Sequence, residues 1–91
     1  MTEPELIEFY GTECHFCKMM APVVEKLEKE HNVKVTRYEV WHDANNAQLM
    51  QKYDQERCGG VPFFINTKTD DWICGAVPYE RLAEWALGKK K

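Results

Sequence analysis

Short apolar runs alternate along this chain with stretches whose apolar positions recur every three or four residues, and that alternation predicts its elements. "ELIEFY" (5–10) is an apolar run bounded by Pro4 and Gly11, as a buried strand would be. From Cys17 to about His31, Met20, Val23, Val24 and Leu27 follow Phe16 at helical spacing and make one apolar stripe, with Asn32 as the stop. "VKVTRYEVW" (33–41) is rich in β-branched and aromatic residues and predicts a second strand. Asp43 can cap a helix in which Ala47, Met50 and Tyr53 share a face. "DQERCGG" (54–60) is a loop, and "VPFFIN" and "DWICGA" are two strands around "TKTD", an antiparallel hairpin. Pro78 suits the first turn of a last helix that carries Leu82, Trp85 and Ala86 and ends at Gly88.

The order is βαβαββα, an α/β chain. A strand–helix–strand unit of this length forces parallel pairing with a right-handed crossover, whereas the closing hairpin must be antiparallel. A four-stranded mixed sheet flanked by helices follows. The 91 residues show no linker, repeat or low-complexity tract, so 1–91 is expected to be a single domain. The formal charge of −3 leaves no cationic footprint for nucleic acid, and Lys89, Lys90 and Lys91 are expected to be a solvated tail. No apolar stretch approaches the roughly 20 residues of a membrane span, so no membrane partner is expected. "MTEPELIEFYG" lacks the basic start of a signal peptide. These features predict a cytoplasmic protein, in a compartment where a close cysteine pair is more often catalytic or metal-binding than structural.

That pair is Cys14 and Cys17, in "GTECHFCKMMAP", at the junction between the first strand and the first helix. Exposed N–H groups and the helix dipole stabilise an anion there, which lowers a thiol's pKa. Cys14, nearer the open loop, is the natural attacking sulfur. Cys17, one turn further in, can resolve the mixed disulfide. Two intervening residues keep both sulfurs on one helical edge. Glu8 interrupts the otherwise apolar first strand, where a carboxylate is poorly solvated and its pKa should rise.

"LIEFYGTECHFCKMMAP" resembles the active-site strand and helix of the thioredoxin superfamily. The likeness extends to "GGVPFFI" and to "ICGAVPYERLAEW", and so covers most of the chain. Because the chain begins at the family's active-site strand, its outline is closer to a compact thioredoxin/glutaredoxin-like core with a CHFC site, and the resemblance implies sheet order 2-1-3-4. It implies that Pro22 kinks the active-site helix, that Pro62 is a cis-proline, and that the backbone of Val61 lies beside Cys14, ready to pair with an extended substrate segment. It also implies that Glu8 is the family's buried acid beneath the disulfide, able to take a proton from Cys17 directly or through one water.

Several positions depart from the family pattern. Glu13 stands where a tryptophan is usual, and His15-Phe16 replaces Gly-Pro. A protonated His15 favours the Cys14 thiolate and Glu13 opposes it, so Glu13, His15 and Phe16 are the expected redox-tuning residues. The place where thioredoxins often carry a lysine beside the buried acid falls at Glu39. Where glutaredoxins show Gly-Gly and then Asp, this chain has "CGAVPYE", so glutathione use is not expected.

The expected function is thiol–disulfide oxidoreduction of protein substrates, with no cofactor and no metal. An electron donor, a thioredoxin-reductase-like protein or a small thiol, re-reduces the pair, and the chain acts as a monomer. Two alternatives stay open: a non-catalytic module holding a metal or cluster through Cys14, Cys17 and Cys58, and a redox-regulated interaction module. Cys58 and Cys74 are expected to be free buried thiols, with a second disulfide or a four-thiolate metal site as the other possibilities. His42 is expected to be a strand-end or loop residue, His31 a solvated helix end, and Trp72 and Trp85 packing residues.

Overall fold

A computed structural model of the chain describes residues 4–88, and the lysine tail lies outside them. The elements run β1 (Leu6–Tyr10), α1 (His15–His31), β2 (Thr36–Glu39), α2 (Ala44–Asp54), β3 (Phe63–Asn66), β4 (Asp71–Cys74) and α3 (Tyr79–Leu87). They form one four-stranded sheet in the order β2-β1-β3-β4. β1 and β2 are parallel, while β3 is antiparallel to both β1 and β4. This is the expected architecture and strand order, the thioredoxin-like fold.

The strands are shorter than their apolar runs predict. β2 covers four residues of the nine expected, and β3 and β4 leave out 61–62 and 75–76. Apolar character at a strand's ends marks burial under loops as readily as ladder pairing, so the run overstates the strand. α1 starts two residues earlier than its stripe, because Cys14 is the N-cap and its sulfur accepts the Cys17 N–H. Asn32 stops it in the left-handed conformation with φ 52°. α1 runs unbroken through Pro22, whose missing N–H falls on the solvent side of the helix. Asp43 caps α2 as expected, accepting from the N–H groups of Asn45 and Asn46. Pro78 is the N-cap of α3, one place outside its first turn.

Strand alternation divides the core into two layers. Leu6 and Phe64 pack with Met20, Val24 and Leu27 of α1 and Leu82 and Trp85 of α3. Ile7, Phe9, Phe63 and Ile65 face the other way and pack with Met50 of α2. Glu8 shares its parity with Leu6 and is paired in the ladder with Phe64, so its carboxyl is aimed into the α1/α3 layer. Trp85 is fully buried and Trp72 partly so, both as packing residues.

Cys58 and Cys74 correct the expectation of free buried thiols: they are joined by a disulfide, with Cα atoms 5.3 Å apart. Cys74 is also exposed and Cys58 half-buried. The hairpin register sets Cys74 opposite Phe63, and the chain ahead of β3 turns at Gly59, with φ +74°, to lie beside it. A pairing that depends on hairpin register and a left-handed turn cannot be read from a 16-residue separation.

Candidate functional site: the Cys14–Cys17 pair and its surroundings

The loop after β1 carries Cys14 to the first turn of α1, where Cys14 and Cys17 form a disulfide with Cα atoms 5.2 Å apart. The Cys17 N–H donates to Cys14 Sγ at 3.1 Å. That free N–H at a helix start stabilises charge on Cys14 once the bond is reduced. The two sulfurs do not differ in access as the sequence suggests: Cys14 is 5 % exposed and Cys17 2 %. Their distinction lies in this hydrogen bond and in what each sulfur faces.

Cys14 Sγ faces the loop ahead of β3, 3.9 Å from the carbonyl oxygen of Val61. The Val61–Pro62 peptide is cis. Beside it, Val61, Gly59 and Gly60 form one wall of a cleft of about 300 Å³ whose other walls are Val40, Trp41, Ala47 and Met50. Trp41 closes over Gly11, where a Cβ would fall within the indole ring. The sequence offered no sign of this contact beyond a glycine at the end of a strand.

Glu8 is fully buried, not a solvated strand-edge residue. Its Oε1 accepts from Arg37 Nε at 2.9 Å, while its Oε2 has no hydrogen-bond partner. Burial pushes its pKa from 4.5 to about 7; the Arg37 guanidinium pulls down against this, and the nearby Glu28 of α1 adds to the upward push. The basic residue beside the acid is therefore Arg37, not the position assigned to Glu39. Parallel register sets Glu8 opposite Arg37 and puts Glu39 opposite Tyr10. Arg37 also lies over the Tyr10 ring, 4.5 Å from its centroid.

Glu39 has a different place. Its carboxylate accepts from the Thr12 N–H and hydroxyl and from the His42 N–H, so it ties the loop before Cys14 to the loop after β2. Glu13, just ahead of Cys14, pairs with His42 Nε2 at 2.8 Å across the same two loops. Its charge is shared with a histidine, which weakens the opposition to a Cys14 thiolate expected from sequence. The hydrogen bond from Glu13, then the charges of Glu13 and Glu39, raise the pKa of His42. Glu13→Gln is expected to lower the His42 titration midpoint, read from its imidazole NMR shifts; an unmoved midpoint would mean that the pair does not form in solution. His15 and Phe16 project outward, with ring centroids 5.5 Å apart and Phe16 55 % exposed.

The fold thus brings Cys14, Cys17, Val61 and Pro62 to one end of the sheet and sets Glu8 under α1, with Glu13, His15 and Phe16 around the rim. Among the described residues no three histidine, cysteine or acidic side chains converge as a metal site would require. No helix among them is long and apolar enough to cross a membrane.

A thioredoxin family profile matches residues 1–87. The chain is 33 % identical over 81 residues to "Thioredoxin M-type, chloroplastic" of Pisum sativum, covering 89 % of this chain and 46 % of that protein. It is 34 % identical over 91 residues to "Thioredoxin X, chloroplastic" of Arabidopsis thaliana, covering 94 % and 48 %. The chain thus spans about half the length of the curated relatives it matches. Among solved structures, the glutaredoxin of Archaeoglobus fulgidus has the same fold, with a TM-score of 0.65 at 16 % identity over 91 % of this chain and 86 % of that one. Both plant relatives are chloroplastic proteins, which overturns the cytoplasmic placement expected from the N-terminus. That expectation rested on the absence of a secretory start, which carries no information about a plastid. With its CxxC pair at the head of α1, its cis-proline beside Cys14 and a profile match over nearly its whole length, the chain belongs to the thioredoxin family.

Proposed function

We propose that the chain is a thiol–disulfide oxidoreductase that reduces or exchanges disulfides of protein substrates through Cys14 and Cys17. The observation that carries this reading is the position of Cys14 Sγ, between the Cys17 N–H and the Val61 carbonyl. The N–H favours the thiolate, and the carbonyl belongs to a backbone segment that an extended substrate can join as an added strand. The Cys14 thiolate attacks a substrate sulfur, forming a mixed disulfide and releasing the other substrate sulfur as a thiolate. Cys17 then loses its proton to Glu8, directly or through one water, and attacks Cys14 Sγ. The second substrate thiolate leaves, and the Cys14–Cys17 disulfide closes. Glu8 suits the proton step because its pKa near 7 lets it hold or release a proton at neutral pH.

Two electrons from a thioredoxin-reductase-like protein or a small thiol restore the dithiol. Residues 1–91 do this as one domain and as a monomer, without a bound cofactor. The reading is tested by incubating the dithiothreitol-reduced chain, freed of excess reductant, with insulin. One insulin disulfide should be reduced per chain, with the Cys14–Cys17 bond formed in step. No transfer of electrons would sink the assignment.

The dipeptide between the cysteines tunes the couple. A protonated imidazole at His15 stabilises the thiolate and therefore the reduced form. Replacing His15-Phe16 by Gly-Pro should lower the potential by about 30 mV, equivalent to roughly 1.4 kcal/mol for two electrons. Equilibration against glutathione measures it. An unchanged or higher potential would shift control to the backbone or to Glu13.

A further inference from the structure

Cys58 and Cys74 stand outside the chemistry described above, yet their bond closes on the segment that carries Val61. Two residues separate Cys58 from Val61, and both are glycines, Gly59 and Gly60. A Cβ at either glycine would meet nothing, and Gly59 already has φ +74°. Gly-Gly is the least constrained dipeptide a chain can use, so it acts as a hinge between Cys58 and Val61. On the far side of the hinge, Pro62 is anchored, its carbonyl accepting the Gly75 N–H at 2.8 Å. On the near side, the buried carboxylate of Asp54 accepts from the Cys58 N–H at 2.6 Å and the Gly59 N–H at 2.9 Å. The disulfide adds a covalent tie from Cys58 to the end of β4, next to Gly75. Without it Asp54 still holds the Cys58 and Gly59 N–H groups, so Gly60 and Val61 are the part that the disulfide restrains. Cys74 lies at the very end of β4 and Cys58 at the margin of the α2 layer, and the buried core is made by other residues. Cys74 is exposed, so a thiol can reach it.

We propose that Cys58–Cys74 is a second exchangeable disulfide that regulates substrate capture at the first site: closed, it holds Gly60 and Val61 ready to pair with substrate; open, it frees that segment. This rests on Val61 receiving the substrate backbone, as in the function proposed above. The reductant is an external dithiol, protein or small molecule. One of its thiolates attacks the sulfur of Cys74, an exposed residue, and Cys58 leaves as a thiolate that takes a proton from solvent. The donor's second thiol, giving up its proton, attacks its own sulfur in the mixed disulfide and expels Cys74, which is protonated in turn. Two electrons and two protons pass to the pair, and the donor ends as a disulfide. Opening raises the conformational freedom that substrate binding must remove, so it weakens capture and leaves the reacting groups as they were.

The test has two parts. The native chain is titrated with dithiothreitol and alkylated, and each cysteine pair is followed by mass spectrometry alongside far-ultraviolet circular dichroism. The Cys58–Cys74 pair should open with the helical signal intact. Cys58→Ser/Cys74→Ser is then compared with the native chain for insulin reduction and for amide hydrogen exchange. Its KM should rise about threefold to tenfold with kcat within about twofold, the range that ordering a short loop costs. Exchange in 60–61 should quicken while β1 and β3 stay protected. A pair that opens only as the chain unfolds, a double variant that does not fold, or a folded variant with native KM and native exchange would each overturn the proposal. Should neither form reduce insulin, the proposed function fails, and titration and exchange still decide whether the second disulfide opens and frees the hinge.

Discussion

Cys14→Ser is expected to abolish disulfide reduction, whereas Cys17→Ser is expected to accumulate a mixed disulfide between Cys14 and substrate. The asymmetry comes from the head of α1. Cys14 is the N-cap, its sulfur takes the Cys17 N–H at 3.1 Å, and it faces the Val61 carbonyl where substrate is to lie. Cys17 is buried in the helix's apolar stripe with Met20, Val24 and Leu27, and reaches a sulfur only after Cys14 has captured it. Exposure alone does not separate the two, so the discriminating property is thiolate character. Limiting iodoacetamide should therefore label Cys14 first in the reduced chain. The trapped species of Cys17→Ser should appear as a dithiothreitol-sensitive adduct of chain plus substrate on a non-reducing gel. Faster labelling of Cys17, or an adduct formed by Cys14→Ser instead, would reverse the roles.

Glu8→Gln should stabilise the oxidised protein at pH 8 by about 2 kcal/mol, cost it about 1 kcal/mol at pH 4, and slow release of the mixed disulfide. The folded-state pKa, about 7, lies above the ordinary 4.5. A group shifted upward contributes stability that is fully present below the unfolded pKa and is lost as pH rises through the folded one. For Glu8 the loss spans roughly pH 4.5 to 8. At about 1.4 kcal/mol per unit its ceiling is near 3 kcal/mol, and the amide of Glu8→Gln returns about 1 as a buried donor with no partner at Oε2. Arg37 loses an ion-pair partner, but it is partly exposed and can turn to water. Denaturant melts of native chain and Glu8→Gln at pH 4 and pH 8 measure the stability. Single-turnover reduction of insulin measures the rate. A variant that is less stable at pH 8 would mean that the Arg37 pair outweighs the burial of the charge. An unchanged rate would remove Glu8 from the proton path.

These two expectations draw on the part of the molecule that was most legible beforehand. Met20, Val24 and Leu27 announced α1 by their spacing, and the interruption of "LIEFY" by Glu8 announced a buried acid by parity within one strand. Cys14 and Cys17 belong to a single turn. In each case the physical cause lies within a few residues of chain, in helix periodicity, strand alternation or the free N–H groups of a helix start. Asn32, Asp43 and Gly88 marked element ends for the same reason, since caps are local.

What joins one element to another was not legible. That Arg37 and not Glu39 meets Glu8 depends on the register of β1 against β2, and a slip of one residue would turn the guanidinium to the opposite face. Glu39 instead secures Thr12, and Glu13 finds His42, because two loops distant in sequence run side by side at the sheet's end. Cys58 and Cys74 needed both the β3–β4 register and the left-handed turn at Gly59 before their sulfurs could meet. The sequence by itself determined the elements, their order, the redox pair and its burial context, all set by short-range backbone and hydrophobic preferences. The tertiary structure alone decided which charges share the acid, which loops brace the cysteines and which second pair of thiols is joined. Those contacts arise only when register and loop geometry superimpose residues that the chain keeps apart.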